Sequence, residues 1–518
     1  MTEHHENQGE TGSLNRVAGS VLPPDPREHT AIRNVTLLLL MRGFILAGGV
    51  ATATLVPRTL GPATYGRYDL ITMLTFWFTM LGGLGTAQVV SRQAPELEHA
   101  GATDKLRALF GNLLALRVLA SVVVALLYFL TTRLWLRDLE WPVLAVLSVA
   151  VCLRGPANLC YSLFLGQGRI GRWALPEVVR QWGSVAFALP CYLLGGLRGA
   201  VIGYLISETI IAVIAMFGIV GSRRSLSLSD LRLDLRALAP HLRIGLVFYA
   251  GELVASAFER SGAVLVRTVT HDYAQVGFFG VSYQIFAAAV LSSTQISTSF
   301  VPLLTVLRTR NEDSELKIWV ARLVKWLTVV AMLGFLGSVI LGKDIVPLIL
   351  GRVYASVFLN VVFLSATLLL QPVTHVCGIL ALTHDRPKMV IQATIARLIV
   401  FWGLGVPLVM RWGSLGACVA VLFATSAQAA VFLLKSWPLI GSACIRWCAV
   451  MGAGLAFAPL AYLRGSPVRN VGLYVFAAGS FLLVLRLLGT ISSRELRTLG
   501  QTLRLAKSQH KSAVEARP

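Results

Sequence analysis

The sequence predicts an all-α polytopic membrane bundle of about fourteen transmembrane helices, arranged as two six-helix lobes plus two C-terminal helices. Three observations lead there: apolar runs of membrane length from Ala31 to Thr490, a repeat of a little over 210 residues, and lysine and arginine concentrated in alternate loops. Of 518 residues, 55% are hydrophobic and 14% charged, and the mean hydropathy is +0.70. A hydrocarbon core about 30 Å thick takes about 20 apolar helical residues to cross, and a soluble chain of this length does not carry so many such runs.

Windows of that length place spans near 34–57, 69–91, 107–131, 142–164, 173–195, 199–220, 242–268, 275–306, 318–341, 354–381, 388–410, 414–434, 442–463 and 469–489. The eighth is long enough to leave the membrane at its end. The first thirty residues are polar, with no apolar segment typical of a cleavable signal peptide, and His4 and His5 read as tail residues rather than metal ligands.

The repeat supplies the lobes. One helix ends in Arg58-Thr-Leu-Gly61-Pro-Ala-Thr-Tyr65-Gly66-Arg-Tyr68, another in Arg267-Thr-Val-Thr-His271-Asp-Tyr-Ala-Gln-Val-Gly277-Phe278-Phe279, so Gly66 and Gly277 take equivalent places. Gly168-Arg169 precedes Arg180 as Asp385-Arg386 precedes Arg397, at one common offset, and Pro156 and Pro372 fall at similar depths. Six spans per copy is an even number, so both copies enter the membrane in the same direction and enclose a cavity between them. The expected division is a polar cytoplasmic tail over 1–30, the first lobe over 31–221 and a basic cytoplasmic connector over 222–241. The second lobe follows over 242–435, then two additional transmembrane helices over 436–490 and a basic cytoplasmic tail over 491–518.

Orientation follows from charge, because cationic loops resist translocation. With the N-terminus cytoplasmic, the inside segments hold most of the lysine and arginine, including Arg223, Arg224, Arg232, Arg236 and the C-terminal cluster, so both termini are expected inside. The net charge of +21 then reflects topology and attraction to anionic lipid, not nucleic-acid binding. The seven cysteines lie in apolar runs as small hydrophobes, and Cys444 and Cys448, on one helix face, lack the histidine or carboxylate that a metal site needs. No nucleophile elbow, P-loop or metal-hydrolase motif appears, and the outer loops, about ten to fifteen residues long, are short for an enzyme that must hold two sugar chains.

The chemistry is in charges placed where lipid would be. An ionised side chain at mid-membrane costs about 2.5–3.5 kcal/mol on insertion scales, so such residues face a bundle interior or a watery cavity. Arg42 lies deep in the first span, and Arg117, Arg154 and Arg397 near the middles of the third, fourth and eleventh; Gly155-Pro156 after Arg154 can kink its helix. Glu177 and Arg180 share a face of the fifth span and are expected to pair, Glu208 lies midway along the sixth, and Arg486 is a snorkelling residue. In the seventh span Glu252, Ser256, Glu259 and Arg260 make a polar stripe at helical spacing. The membrane arginines outnumber the acids, which favours a cavity for an anion, and guanidinium forks suit a phosphate or pyrophosphate.

With these features the chain resembles the polysaccharide-lipid flippases of the multidrug/oligosaccharidyl-lipid/polysaccharide exporter superfamily, the Wzx-like O-antigen and capsule translocases. The resemblance rests on the Arg58-x-Leu60-Gly61-x-x-x-Tyr65-Gly66-x-Tyr68 turn, Leu84-Gly85, the two six-helix halves and the arginine-rich cytoplasmic side, over about residues 31–490. It implies a multi-pass protein of the bacterial cytoplasmic membrane. Such a protein moves an undecaprenyl-diphosphate-linked glycan between leaflets by alternating access, beside membrane lipids and the polysaccharide polymerase and ligase machinery. Arg42, Arg117, Arg154, Arg260 and Arg397 would then hold the diphosphate and sugar. Glu208, Glu252 or Glu259 would couple a proton or sodium gradient, with no metal or other cofactor. Fourteen spans also resemble the lipid II flippases, which stand second; a multidrug antiporter of the same fold would carry carboxylates where the first lobe here carries arginines.

Overall fold

The computed structural model describes residues 26–220, 233–384 and 386–490. Residues 1–25 and 491–518 of the expected tails and most of the expected connector lie outside the described residues, as does the side chain of Arg260, while residues 26–30 of the expected first tail already belong to the first helix. The described residues form an all-α bundle. Its helices are α1 (Pro26–Leu81), α2 (Thr86–His99), α3 (Thr103–Trp135), α4 (Trp141–Gly166), α5 (Ile170–Gly183), α6 (Leu189–Val220), α7 (Leu235–Thr270) and α8 (Tyr273–Ser299). There follow α9 (Val301–Thr309), α10 (Asp313–Leu350), α11 (Val357–Leu368), α12 (Gln371–Thr383), α13 (Pro387–Trp412), α14 (Ser414–Leu455) and α15 (Pro467–Leu487).

Among the described residues nine helical stretches are long and apolar enough to cross a membrane, ten if the bent pair α11 and α12 is taken as one span. The number is below fourteen partly because several predicted runs are fused. In α1 the backbone turns at Gly61, whose φ of 72° is in the left-handed region that glycine adopts freely, and Pro62 starts the next segment with its φ already set. The stretch Gly171–Ile219 contains a π-helical turn over Ser184–Ala188 and a break at Gly195 and Gly196. α14 is bent rather than broken. A straight helix would carry Ser414 about 60 Å from Gly454, yet Ser414 accepts a hydrogen bond from Asn360 in α11 (3.1 Å) and Gly454 packs on Met332 in neighbouring α10. Pro438, which lacks an N–H and crowds the preceding turn, sits at its middle. α7 is the other exception, with Glu252, Glu259 and Arg260 along its length.

Local chemistry fixes several ends. Asp234 caps α7 through the N–H groups of Arg236 and Ala237, and Asp272 caps α8 through that of Ala274. α15 runs beside α10: Asn470 donates to Asp344 (2.6 Å) at one end, and Lys325 donates to the Thr490 carbonyl (3.0 Å) just past the other, a cation at a helix C-terminus. The end of the bundle that holds Thr490 is called the terminal face below, and the opposite end the far face.

The apolar core shows how the two halves meet. At the far face one cluster runs through both, from Leu70, Tyr128 and Val201 to Val266, Val276, Tyr354 and Phe401. Toward the terminal face it divides: one cluster is built on α2, α3, α4 and α6, with Leu238 of α7, and another on α9, α10, α12, α13 and α14. The halves therefore join at one face and part toward the other, with the first part of α7 leaning on the first half through Gln93 and His241 (2.7 Å).

The joint is a backbone crossing of α1 and α8. A Cβ on Gly66 would overlap the Tyr273 carbonyl oxygen, and one on Gly277 the Pro62 carbonyl oxygen, so the two glycines given equivalent places in the repeat meet each other. Small residues are what let helices in lipid approach so closely. Around the crossing Tyr65 donates to Gln284 (3.1 Å), Tyr354 to the Pro57 carbonyl (2.9 Å), and Arg267 and Tyr273 both donate to Asp138 (3.4 and 3.0 Å). Gly66→Ala and Gly277→Ala should each lower the melting temperature of the purified protein, at about 1–3 kcal/mol of overpacking. Gly403→Ala, at a site with nothing within 4 Å, should not; equal melting temperatures for all three would remove the crossing as the joint.

Candidate functional site

Below the crossing, α4, α5 and α6 bring charged side chains together at helical spacing. Arg154 and Asn158 lie one turn apart on α4, Glu177 and Arg180 on α5, Tyr204 and Glu208 on α6. Glu208 is fully buried. Its Oε1 takes Arg180 Nε at 3.0 Å and lies 3.4 Å from Arg154 Nη1. Arg154 also donates to the Tyr204 hydroxyl (2.8 Å), which is 3.0 Å from the Thr75 hydroxyl of α1. Arg180 reaches Asn158 Oδ1 at 3.1 Å. A buried carboxylate is tolerable only when such partners replace its water. The expected Glu177–Arg180 pair is looser, at 3.9 Å, and half of the Glu177 side chain is exposed; the shorter bond goes to Glu208.

The other predicted residues fall in different settings. Arg117 is enclosed: Nε donates to the Gly155 carbonyl (3.1 Å) and Nη2 to that of Thr79 (3.3 Å), at the end of α1. Tyr249 of α7 bonds the next carbonyl, Met80. Arg117 thus caps a helix C-terminus, where a cation offsets the dipole, and α4 runs unbroken through Pro156 beside it. Arg42 is half-buried on α1 with no carboxylate within 4 Å among the described residues. Arg397, on α13, lies over the Phe258 ring of α7, 3.5 Å from its centroid, and its buried Nε has no hydrogen-bond partner. Glu252 and Glu259 are exposed on α7, and Gln88 of α2 donates to Glu252. Glu208, by contrast, is committed to ion pairs. No group of three or more metal-ligating side chains occurs among the described residues.

The sequence reading does not single out Tyr204, Thr75 or Asn158. Tyr204 and Asn158 sit four residues from Glu208 and Arg154, so their spacing is a usable signal; Thr75 carries none, since it joins through tertiary packing. The network is a polar wall between α4, α5 and α6: two cations on one carboxylate oxygen, with Arg154 Nε and Glu208 Oε2 left unpaired. Glu208→Gln leaves two guanidinium groups without their shared charge and should cost about 3–5 kcal/mol of stability. Glu177→Gln, on the exposed partner, should cost about 1 kcal/mol or less. Equal thermal melts would show that Glu208 does not anchor the wall.

Comparison with known proteins bears on what such a wall surrounds. The family described as polysaccharide biosynthesis protein matches residues 31–308. The probable low-salt glycan biosynthesis flippase Agl15 of Haloferax volcanii is 21% identical over 320 residues, an alignment spanning 60% of this chain and 66% of that relative, just under two thirds. Among solved structures, the lipid II flippase MurJ in an inward closed conformation superposes with a TM-score of 0.67 at 12% identity, over 88% of this chain and 99% of its own. An inward-facing MATE multidrug resistance transporter of the MOP superfamily gives 0.62 at 15% identity, over 80% and 98%. A MOP superfamily transporter from Pyrococcus furiosus gives 0.52 at 14% identity, over 80% and 94%. At these identities the solved structures share the fold.

Proposed function

Because the chain belongs to the polysaccharide biosynthesis protein family, we propose that this membrane transporter is a flippase for a lipid-linked glycan, an undecaprenyl-diphosphate-linked oligosaccharide destined for surface polysaccharide such as O-antigen, capsule or exopolysaccharide. Transport by alternating access is favoured by one observation above others: the two halves share a core at the far face and have separate cores toward the terminal face. A cleft of that form admits a polar head group between the lobes while a prenyl tail stays in lipid.

The proposed path crosses the cytoplasmic membrane fourteen times, with both termini cytoplasmic, so the terminal face is the loading side. α1, the α5–α6 stretch and α14 each supply two crossings. Exposed apolar side chains on the terminal halves of α1 (Leu40, Phe44, Val50) and α8 (Ile285, Leu291, Ile296) give the tail an apolar flank. Of the five arginines, Arg42, Arg154 and Arg397 are retained as candidates for diphosphate and sugar, and Arg260 with them on its position in α7. Arg117 is left out because its Nε and Nη2 serve helix carbonyls and only the enclosed Nη1 is unpaired. Glu252 and Glu259, exposed on α7, are better placed than the enclosed Glu208 to bind a coupling proton or sodium ion. A polymerase or ligase would take the glycan on the other side.

A lipid II flippase is the second reading, favoured by α15 and the second part of α14, which pack on α10 outside the two lobes. A cationic-drug antiporter is disfavoured by Arg154 and Arg180 over a single enclosed acid. Deleting the gene should make a diphosphate-linked oligosaccharide accumulate on the cytoplasmic leaflet, as read by mass spectrometry of extracted lipids, with loss of surface glycan. Unchanged lipid intermediates and normal surface glycan would reject the reading.

A further inference from the structure

The first lobe carries a second polar feature, apart from the wall around Glu208. Asp138, between α3 and α4, lies at the crossing, so α3 begins and α4 ends at the opposite, terminal face. There α4 packs on both α3 and α6, and the three helix ends leave a depression of about 430 Å³, counted to its open mouth. Phe164 of α4 is its floor: the ring is buried and lies against α6 at Gly218, where a Cβ would come within 2.7 Å of it. Arg107 of α3 and Arg169, in the turn from α4 into α5, line the hollow. The backbone fixes that turn. Arg169 N–H donates to the Phe164 carbonyl (2.8 Å) and Gly168 N–H to that of Leu165 (3.0 Å), with Gly168 at a φ of 68°, the pattern that ends a helix on a left-handed glycine.

The hollow is cationic and is not satisfied from within. Arg107 Nε is buried with no hydrogen-bond partner, and no carboxylate lies within 4 Å of that guanidinium among the described residues. Arg169 is exposed, and Arg172 lies over the Phe164 ring, 5.9 Å from its centroid. Of the acids nearby, Glu98 accepts from Gln167 (3.0 Å) and Asp104 is exposed on the first turn of α3. α5 starts here with Arg169 as its N-cap, no side-chain cap and no acid in its first turn, the wrong sign for a helix N-terminus, which favours an anion. The chain past Val220 opens Gly-Ser-Arg-Arg over 221–224, so like charge disfavours the connector itself as the occupant. Apolar side chains continue from the hollow toward mid-membrane. Val118 stands three helical turns from Arg107, about 16 Å along the same face of α3, and is exposed, as are Val213 and Phe217 on α6. A cationic hollow at the membrane surface above apolar flanks has the polarity of a phospholipid, phosphate at the interface and acyl chains in the bilayer.

We propose that this hollow holds the head group of an anionic membrane phospholipid, with Arg107 and Arg169 on its phosphate and Phe164 beneath it. The lipid is a resident of the first lobe and not cargo: every residue that holds it comes from that lobe, and none lines the cleft between the halves. It fills the seam between α3 and α6 and supplies the negative charge that the start of α5 lacks. The assignment needs only a membrane around the chain, so it goes beyond the flippase reading and stands if that reading fails.

The test is native mass spectrometry of the full chain released from nanodiscs made of phosphatidylcholine and phosphatidylglycerol in equal parts, counting the lipids that stay bound. The wild type should retain phosphatidylglycerol in preference to phosphatidylcholine. Arg107→Gln should lower that occupancy roughly 10-fold, as expected for losing a charge-assisted hydrogen bond, and Arg169→Gln, on an exposed side chain, should lower it as well. Arg310→Gln removes one exposed charge from the terminal face of the second lobe and should leave the occupancy near wild type. Equal losses in Arg107→Gln and Arg310→Gln would overturn the site, leaving only the general attraction of a basic surface for anionic lipid; so would equal retention of the two lipids by the wild type. Should Arg107→Gln fail to fold, Arg169→Gln against Arg310→Gln decides in the same way. Displacement of the bound phosphatidylglycerol by inorganic phosphate alone would make a free anion the occupant and overturn the assignment to a lipid.

Discussion

Two glycines set the architecture. Gly66 and Gly277 bring the backbones of α1 and α8 closer than any side chain allows, and the lobes are joined where that contact occurs. The shared core and the bonds around Asp138, Gln284 and Pro57 gather at the same level. Below it the apolar clusters separate, one in each half, with α7 contributing to the first. The joined face is the hinge about which the proposed alternating access would turn, since packed cores switch between discrete arrangements instead of deforming smoothly.

The parted region is where charge becomes affordable. A guanidinium in lipid must find a carboxylate, a helix end, an aromatic face or water, and the chain uses the first three. Arg180 and Arg154 share Glu208, Arg117 caps α1, and Arg397 lies on Phe258. The first leaves Arg154 Nε without a hydrogen-bond partner and the second Arg117 Nη1. The third lays the cation on an aromatic face with no carboxylate within 4 Å among the described residues, so arginines that look alike in burial differ in their partners.

Much of this was legible in the sequence, and the remainder has identifiable physical causes. Hydropathy located the helices because lipid demands uninterrupted apolar runs, and Gly61-Pro62 marked a turn because few other pairs make one. The matching of Gly66 with Gly277 could be read from the repeat, but not that they touch. The bend in α14 was hidden, since helical dihedrals persist through it, and so was the π-helical turn over Ser184–Ala188. Arg117 and Arg154 looked alike as isolated cations in apolar runs. What tells them apart is the carbonyl of Thr79 and the carboxylate of Glu208, reached through packing between helices distant in sequence.

The most direct measurement is translocation by the purified chain in proteoliposomes, using a fluorescent prenyl-diphosphate sugar whose label is quenched only in the outer leaflet. A flippase predicts that lipid from the inner leaflet becomes quenchable much faster than in empty vesicles and that an imposed proton or sodium gradient alters the rate. Movement no faster than in empty vesicles under either gradient, with uptake of an organic cation in its place, would contradict it.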